Sequence, residues 1–593
     1  MVKNRNDASF PARRLLVKVL LLVITGGLLW RAVDLQHTDK AFLKGQGEAR
    51  HLRVVAIPAH RGKVLDRNGD PLAISTPVDS VWANPRELAG EPGRWPELTR
   101  LLGLDPTQLA RIAKQRGERE FVYLKRHLAP QLAGKVEQAG VPGVYLQREY
   151  RRYYPLGEVA AHVVGFTNVD DIGQEGMELA FDERLRGIGG AHRVLRDRLG
   201  RIVEEVESIR SPKAGGDLVL SLDRRVQYLA YRALLGAVKR HKARGGSVVV
   251  LESRTGEVLA MVNQPAYNPN KRADRVSSRY RNRAVTDVFE PGSAIKPFTI
   301  AAALESGRFK VGSKVDTNPG MLKIGKYTVR DPRNYGLIDM STLMQKSSNV
   351  GATRLALALE PRELWQVLTR VGFGSDTGSG FPGEVEGVLT HYFDWGNIHR
   401  ANLSFGYGLS VSALQLAQAY TVLANDGRFV RVSFERIDRP VEGVPVMGRA
   451  NARSLRKMLE SVVDPEGTGQ RARVAGYRVG GKTGTVRKSI TGGYAEDRYK
   501  AVFAGIAPIT RPRLVVVVVI DEPGGEEYYG GQVAAPVYAE IMARTMRVLG
   551  VPPDDPSMIE NKADFGPAPA GTTHWAYAPN AALASQAPDG VVQ

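Results

Sequence analysis

A serine and a lysine three residues apart, Ser293 and Lys296, stand in the run Phe289-Glu290-Pro291-Gly292-Ser293-Ala294-Ile295-Lys296-Pro297-Phe298. Residues i and i+3 share one face of a helix, so the Lys296 amine can serve the Ser293 hydroxyl from within a single element. A hydroxyl becomes a nucleophile when an adjacent base takes its proton. The lysine must first be deprotonated: an exposed amine titrates near about 10.4, so burial or neighbouring cations are needed. The apolar stretch 295–304, ending before Gly307, predicts a buried helix that opens at the serine, with Pro297 tolerated in its first turn. Taken alone, a serine at this position is more commonly an N-cap. The same spacing recurs at Ser454 and Lys457, inside the basic amphipathic run 452–460. A solvated helix face accounts for that pair, and no chemistry is assigned to it.

Two further patterns change the odds. Ser347-Ser348-Asn349 is a Ser-x-Asn, and Lys482-Thr483-Gly484-Thr485 follows the glycine-rich approach Tyr477-Arg478-Val479-Gly480-Gly481. Each alone fits a turn. In this order, Ser-x-x-Lys, Ser-x-Asn and Lys-Thr-Gly match the three motifs of penicillin-recognising acyl-serine transferases. The chain further resembles the class B penicillin-binding proteins in Arg61-Gly62-Lys63-Val64-Leu65-Asp66-Arg67-Asn68-Gly69-Asp70-Pro71, in Tyr154-Pro155-Leu156-Gly157 through Gly165-Phe166-Thr167, and in Gly173-Gln174-Glu175-Gly176-Met177-Glu178. Bifunctional synthases carry a glycosyltransferase domain, for which this N-terminal module is too short. Within class B, Asn263-Gln264-Pro265-Ala266-Tyr267-Asn268-Pro269-Asn270 and Tyr528-Tyr529-Gly530-Gly531-Gln532-Val533 resemble the septal, FtsI-type enzymes more than the elongation type. Ala294-Ile295 departs from the Thr-Val that many relatives carry between serine and lysine.

That resemblance implies a peptidoglycan D,D-transpeptidase. Ser293 would attack the D-Ala-D-Ala carbonyl while Lys296 takes its proton, Ser347 would relay the proton to the leaving amine, and Asn349 would hold Lys296 and the substrate amide. Lys482 and the hydroxyls of Thr483 and Thr485 would gather the terminal carboxylate, with Gly484 allowing close approach. The backbone N–H groups of Ser293 and Thr485 would form the oxyanion hole, worth roughly 2.7–4 kcal/mol per donor in other acyl-transfer enzymes. Arg487, Tyr499, Tyr528 and Tyr529 align with substrate-side positions of the cleft, and read otherwise as surface charge and core aromatics. The implied partners are stem peptides, β-lactams, and division proteins including a lipid-linked glycan polymerase. Competing readings are an elongation-type transpeptidase, a D,D-carboxypeptidase or β-lactamase that passes the acyl group to water, and a scaffold or β-lactam sensor without activity.

The elements that must position these residues are legible in outline. Residues 15–30, LLVKVLLLVITGGLLW, follow Lys3, Arg5, Arg13 and Arg14 and predict a signal anchor. Residues 1–14 would lie in the cytoplasm by the positive-inside rule, a span would cover 15–36, and the rest would be periplasmic, at the inner membrane of the septum. Residues 37–215 alternate short β-like runs with Gly/Pro/Asn turns, predicting an extended, mixed, non-catalytic pedestal module. Residues 216–560 predict an α+β transpeptidase domain: a helix over 224–239, buried strands at 247–251 and 514–520, and a central antiparallel sheet flanked by helices, the sheet's form being implied by the resemblance. Residues 561–593, rich in Ala, Pro, Gly and Asn, read as a disordered tail. The formal charge of +20 is scattered along the chain without a nucleic-acid motif, so no nucleic-acid partner is expected. There is no cysteine, hence no disulfide or thiolate chemistry. The histidines lack metal-ligand spacing, so neither metal nor cofactor is expected.

Overall fold

The computed structural model describes residues 11–38, 52–115, 119, 121–196, 202–439, 441–490 and 493–557; the tail reading at 561–593 lies outside them. The first element is α1, Pro11–Val33. Its apolar side chains are exposed all round, Leu22 at 74%. Among the described residues no core covers any face of it. Its 23 residues rise about 34 Å, so the helix outruns the sixteen-residue apolar core on both sides and is long enough for a hydrocarbon layer about 30 Å thick. One N-terminal apolar helix of this kind fits a single-pass membrane anchor.

The described residues form two compact units: those up to Leu65, with Gly69–Leu156 and Val164–Val219, fall in the first, and Asp66–Asn68, Gly157–Val163 and those from Leu220 onward in the second. In the first unit, β1 (Leu52–Ile57), β6 (Gly190–Arg196) and β7 (Ile202–Arg210) make a three-stranded sheet in the order β1-β6-β7. A second sheet is built on the long β3 (Pro71–Ala83), which pairs with β2 (Val64–Leu65), β4 (Val122–Leu128) and β5 (Val144–Tyr153), while β8 (Leu218–Val219) joins β2. Two of the sequence signatures meet in this unit's interior. The Arg61 guanidinium donates to Glu178 Oε2 at 2.8 Å, to Asp182 Oδ1 at 2.7 Å and to the carbonyls of Asp171 and Glu178. Arg152 Nε donates to the other Glu178 oxygen at 2.7 Å. Both arginines and Glu178 are buried. The signatures therefore encode a buried ionic lock and not a surface.

The second unit is organised by one five-stranded antiparallel sheet. Its strands are β9 (Gly245–Glu252), β10 (Val258–Gln264), β11 (Gly480–Ile490), β12 (Gly493–Ala507) and β13 (Leu514–Asp521), in the order β10-β9-β13-β12-β11. Adjacent strands pair antiparallel throughout, with Val249 opposite Val517, Phe503 opposite Val518 and Lys482 opposite Ala504. Strands β9 and β13 are buried on both faces, which is why β13 reads as an unbroken apolar run instead of an alternating one. Helices α2 (Arg224–Arg240) and α8 (Ala535–Val548) cover one face through Ala230, Leu234, Tyr538 and Ile541. Helix α6 (Ala413–Ala424) packs on the other. Between them in sequence come α3 (Lys296–Glu305), α4 (Met340–Lys346), α5 (Asn349–Ala358) and α7 (Arg449–Ser461). Strand β11 is the sheet's edge.

Removing one partner of a buried ion pair strands the other charge, at a cost of about 3–5 kcal/mol. Glu178→Ala should lower the urea midpoint of the full chain by a corresponding amount. An unchanged midpoint would refute the lock.

Candidate active site

Helix α3 is buried on every side from Lys296 to Leu304. Its sequence has no polar face to present to water, so it can only lie in the interior. The chain enters it through a 3-10 turn, Gly292–Ile295. That turn is pinned from below, where the Tyr420 hydroxyl donates to the Ala294 carbonyl at 2.8 Å and the Phe298 ring meets Tyr420 and Phe373 edge-on. Gly292 has φ +53°, and a Cβ there would fall 2.6 Å from Val486 Cγ2, so only glycine admits both the turn and the neighbouring strand. The N-cap explanation of the serine is corrected here: the cap of α3 is Ile295, with no side-chain cap bond, and Ser293 stands two residues earlier, in the 3-10 turn. Its hydroxyl is partly exposed, and no hydrogen bond to it is found among the described residues.

Lys296 Nζ lies 2.5 Å from the Ser347 carbonyl oxygen, 3.0 Å from Ser347 Oγ and 2.7 Å from Asn349 Oδ1. The Ser-x-Asn motif can surround an amine because it is the junction between α4 and α5. Ser347 closes α4 in the left-handed conformation, φ +59°, which few non-glycine residues adopt. Ser348 caps α5, its Oγ accepting from Gly351 N. Asp331 locks the junction, accepting from Ser348 Oγ and Asn349 N, each at 2.5 Å, and from Val350 N at 3.1 Å. Nothing in the sequence singled out Asp331; it lies 17 residues before Ser348, in no recognisable spacing.

The edge strand β11 brings the third motif. A Cβ on Gly484 would meet the Pro291 carbonyl at 2.8 Å, so the strand lies directly against the Ser293 turn. Lys482 is fully buried, its Nζ near the Thr483 carbonyl and Oγ1, and Thr483 Oγ1 is 3.0 Å from Thr468 Oγ1. Thr485 Oγ1 accepts from Gly530 N at 2.9 Å and keeps its own proton to donate. Arg487 stands opposite Tyr499 in the β11–β12 register. Tyr499 stacks on Tyr528, and Tyr528 on Tyr529, each with centroids 4.4 Å apart. These four residues thus form one group at the strand's far end, more surface than core. Next to them is a set that sequence reading passed over: Glu290 Oε1 accepts from Gly408 N at 2.8 Å and from the Tyr494 hydroxyl at 3.0 Å, and Tyr494 meets Tyr407 edge-on. The only available signal was an acid three residues before the serine. Ser454, in contrast, spends its hydroxyl on the Ala450 carbonyl within α7.

The electrostatics follow from burial. Desolvation holds the Lys296 amine well below its ordinary value, the Lys482 charge pushes it further down, and Asp331 partly opposes both. Desolvation alone brings Lys482 down to about 7. Burial thus favours the neutral form of the Lys296 amine and brings Lys482 to about 7, a pairing suited to base catalysis beside anion binding.

Residues 246–543 match the family model described as the penicillin-binding protein transpeptidase domain, and 56–220 that of the penicillin-binding protein dimerisation domain. The chain is a class B penicillin-binding protein. It is 44% identical over 544 residues, 91% of this chain and 93% of the relative, to the probable peptidoglycan D,D-transpeptidase PenA of Neisseria meningitidis. It is 40% identical to the peptidoglycan D,D-transpeptidase FtsI of Escherichia coli K12, covering 90% and 91%. Among solved structures it resembles the transpeptidase domain of Burkholderia pseudomallei penicillin-binding protein 3, with TM-score 0.53 and 42% identity over 57% of this chain and 98% of that one. This penicillin-binding protein is therefore a peptidoglycan D,D-transpeptidase.

Penicillins carry a carboxylate, so their second-order acylation rate reports ionisations of the free enzyme. With Lys482 titrating at about 7, the rate should fall as pH rises through that value, because the lysine loses its charge. Lys482→Arg, which stays charged, should abolish the falling limb. Its persistence in the variant would remove Lys482 from carboxylate binding.

Proposed function

We propose that Ser293 is the acylated nucleophile and Lys296 its base. The observation that carries this reading is the convergence of three motifs, far apart in sequence, on one buried amine: Lys296 Nζ against Ser347 and Asn349, and Gly484 against the Ser293 turn. The Ser293 hydroxyl loses its proton to Lys296 and its Oγ bonds to the penultimate D-Ala carbonyl carbon. The oxygen's developing charge is met by the N–H groups of Ser293 and Thr485. The C–N bond to the terminal D-Ala breaks, and the proton passes from Lys296 through Ser347 Oγ to the leaving amine. Lys482, Thr483 and Thr485 hold that residue's carboxylate. An acceptor amine then attacks the ester, returning the proton to Ser293. Asn349 orients Lys296, and Arg487, Tyr499, Tyr528 and Tyr529 line the acyl side of the cleft.

The septal role is part of the proposal, supported by the likeness to FtsI and PenA. So is the topology: the basic flank before α1 favours residues 1–14 in the cytoplasm and the catalytic unit in the periplasm. The helix α1 and the first unit are then the surfaces available to a lipid-linked glycan polymerase and other division proteins.

Ser293→Ala should take up no fluorescent penicillin, and Ser293 should be the labelled residue by mass in the parent; equal labelling of the variant refutes the assignment. Rapid hydrolysis of the bound penicillin would replace transfer to an amine by transfer to water. Depleting the chain from its host cell should give long, undivided cells, while rounded cells would assign it to elongation instead.

A further inference from the structure

Beyond the Val486 end of β11, two cavities of about 330 and 410 Å³ share Arg244, Arg283, Lys500, Asp287 and Asp521 in their walls and so form one groove. It is lined by the start of β9, the end of β13, Lys500 in the middle of β12 and Val486–Ser489 of β11, passes the Phe289 ring, and reaches Glu290 and Arg487. Seven cationic side chains line it against three carboxylates. Two of those carboxylates are each already shared by two cations. Asp287 lies 3.1 Å from Arg281 and 3.2 Å from Arg283. Asp521 lies 2.8 Å from Lys500 and 3.3 Å from Lys488, which also pairs with Glu522. The walls therefore retain a positive excess after every internal pairing. Such a concentration of one sign in a concave site attracts an anion.

The groove's position says which anion. Along β11, Lys482 and Val486 are four residues apart, about 13 Å of extended chain. The Ser293 turn abuts the strand between them, against Gly484 and Val486. If the leaving D-Ala carboxylate sits at Lys482, the acyl half of an extended donor leaves Ser293 in the opposite direction, toward Val486, Arg487 and the groove. We propose that this groove is a subsite for the acidic, acyl-side portion of the donor peptide, where Arg279, Arg281 and Arg283 engage its carboxylates. The proposal rests on the acyl-transfer reading above, but it concerns which donor is selected and not the bond-making step.

Arg279 and Arg281 are exposed, outside the three motifs, and suited to substitution. The probes are a stem-type peptide donor with free side-chain carboxylates, the same peptide with those carboxylates amidated, and benzylpenicillin, whose acyl side carries none. Arg279→Gln/Arg281→Gln should lower kcat/KM for the acidic donor roughly tenfold, flatten its dependence on salt, and leave the amidated donor and benzylpenicillin at parent rates; Arg279→Lys/Arg281→Lys should restore the acidic donor. An unchanged rate for the acidic donor overturns the proposal, as does a parallel loss for all three probes. Failure of benzylpenicillin to acylate the parent chain would sink the acyl-transfer reading instead, so the two are distinguishable.

Discussion

The enclosure of the Lys296 amine is the constraint on which the rest of the catalytic unit depends. An amine costs several kcal/mol to bury as a cation, and here it loses water on all sides while facing a second buried lysine. The resulting preference for the neutral form is what would let it act as the base proposed for Ser293. Three oxygens from the Ser347–Asn349 junction then fix where that amine points. Much of the surrounding architecture serves to hold this cage: the left-handed Ser347, the cap on α5, and Asp331 stapling the junction from outside the motif.

The sheet supplies the second requirement, close approach. A five-stranded antiparallel sheet with helices on both faces leaves β11 as an edge, so its backbone is free on one side. Gly484 lets that edge touch the turn that carries Ser293, and Gly292 lets the turn accept Val486. Ser293, Lys482 and the aromatic group at Tyr499, Tyr528 and Tyr529 are thereby strung along one rigid strand and its neighbours. The first unit is held together differently. Its Arg61 and Glu178 are consumed, with Arg152 and Asp182, by a buried ionic lock.

Much of the fold was legible because the patterns are local. The run at 514–520 is too short and too β-branched for anything but a doubly buried strand, and 224–239 is amphipathic at helical period; both elements form within a residue or so of those bounds. Leu218–Val219 makes a strand of only two residues, since strand length depends on a partner that composition does not reveal. Pro297 suits the first turn of a helix that opens at Ser293 or at Lys296 alike, and the fold takes the later start, leaving Ser293 in a preceding 3-10 turn.

The sequence by itself determined the chemistry and the family, because reactive groups must be particular residue types and three short motifs in fixed order are enough to name them. It also determined the N-terminal apolar helix, a matter of length and composition. Tertiary structure alone decided what depends on distance and solvent: that Ser347 and Asn349 close on Lys296 across 51 and 53 residues, that Lys296 and Lys482 are both fully buried, that Asp331 braces the Ser348–Asn349 junction while Glu290 holds Gly408 and Tyr494, and that scattered arginines and lysines collect into one groove. Proton affinity and charge density are properties of surroundings, and a linear chain does not specify its surroundings until it folds.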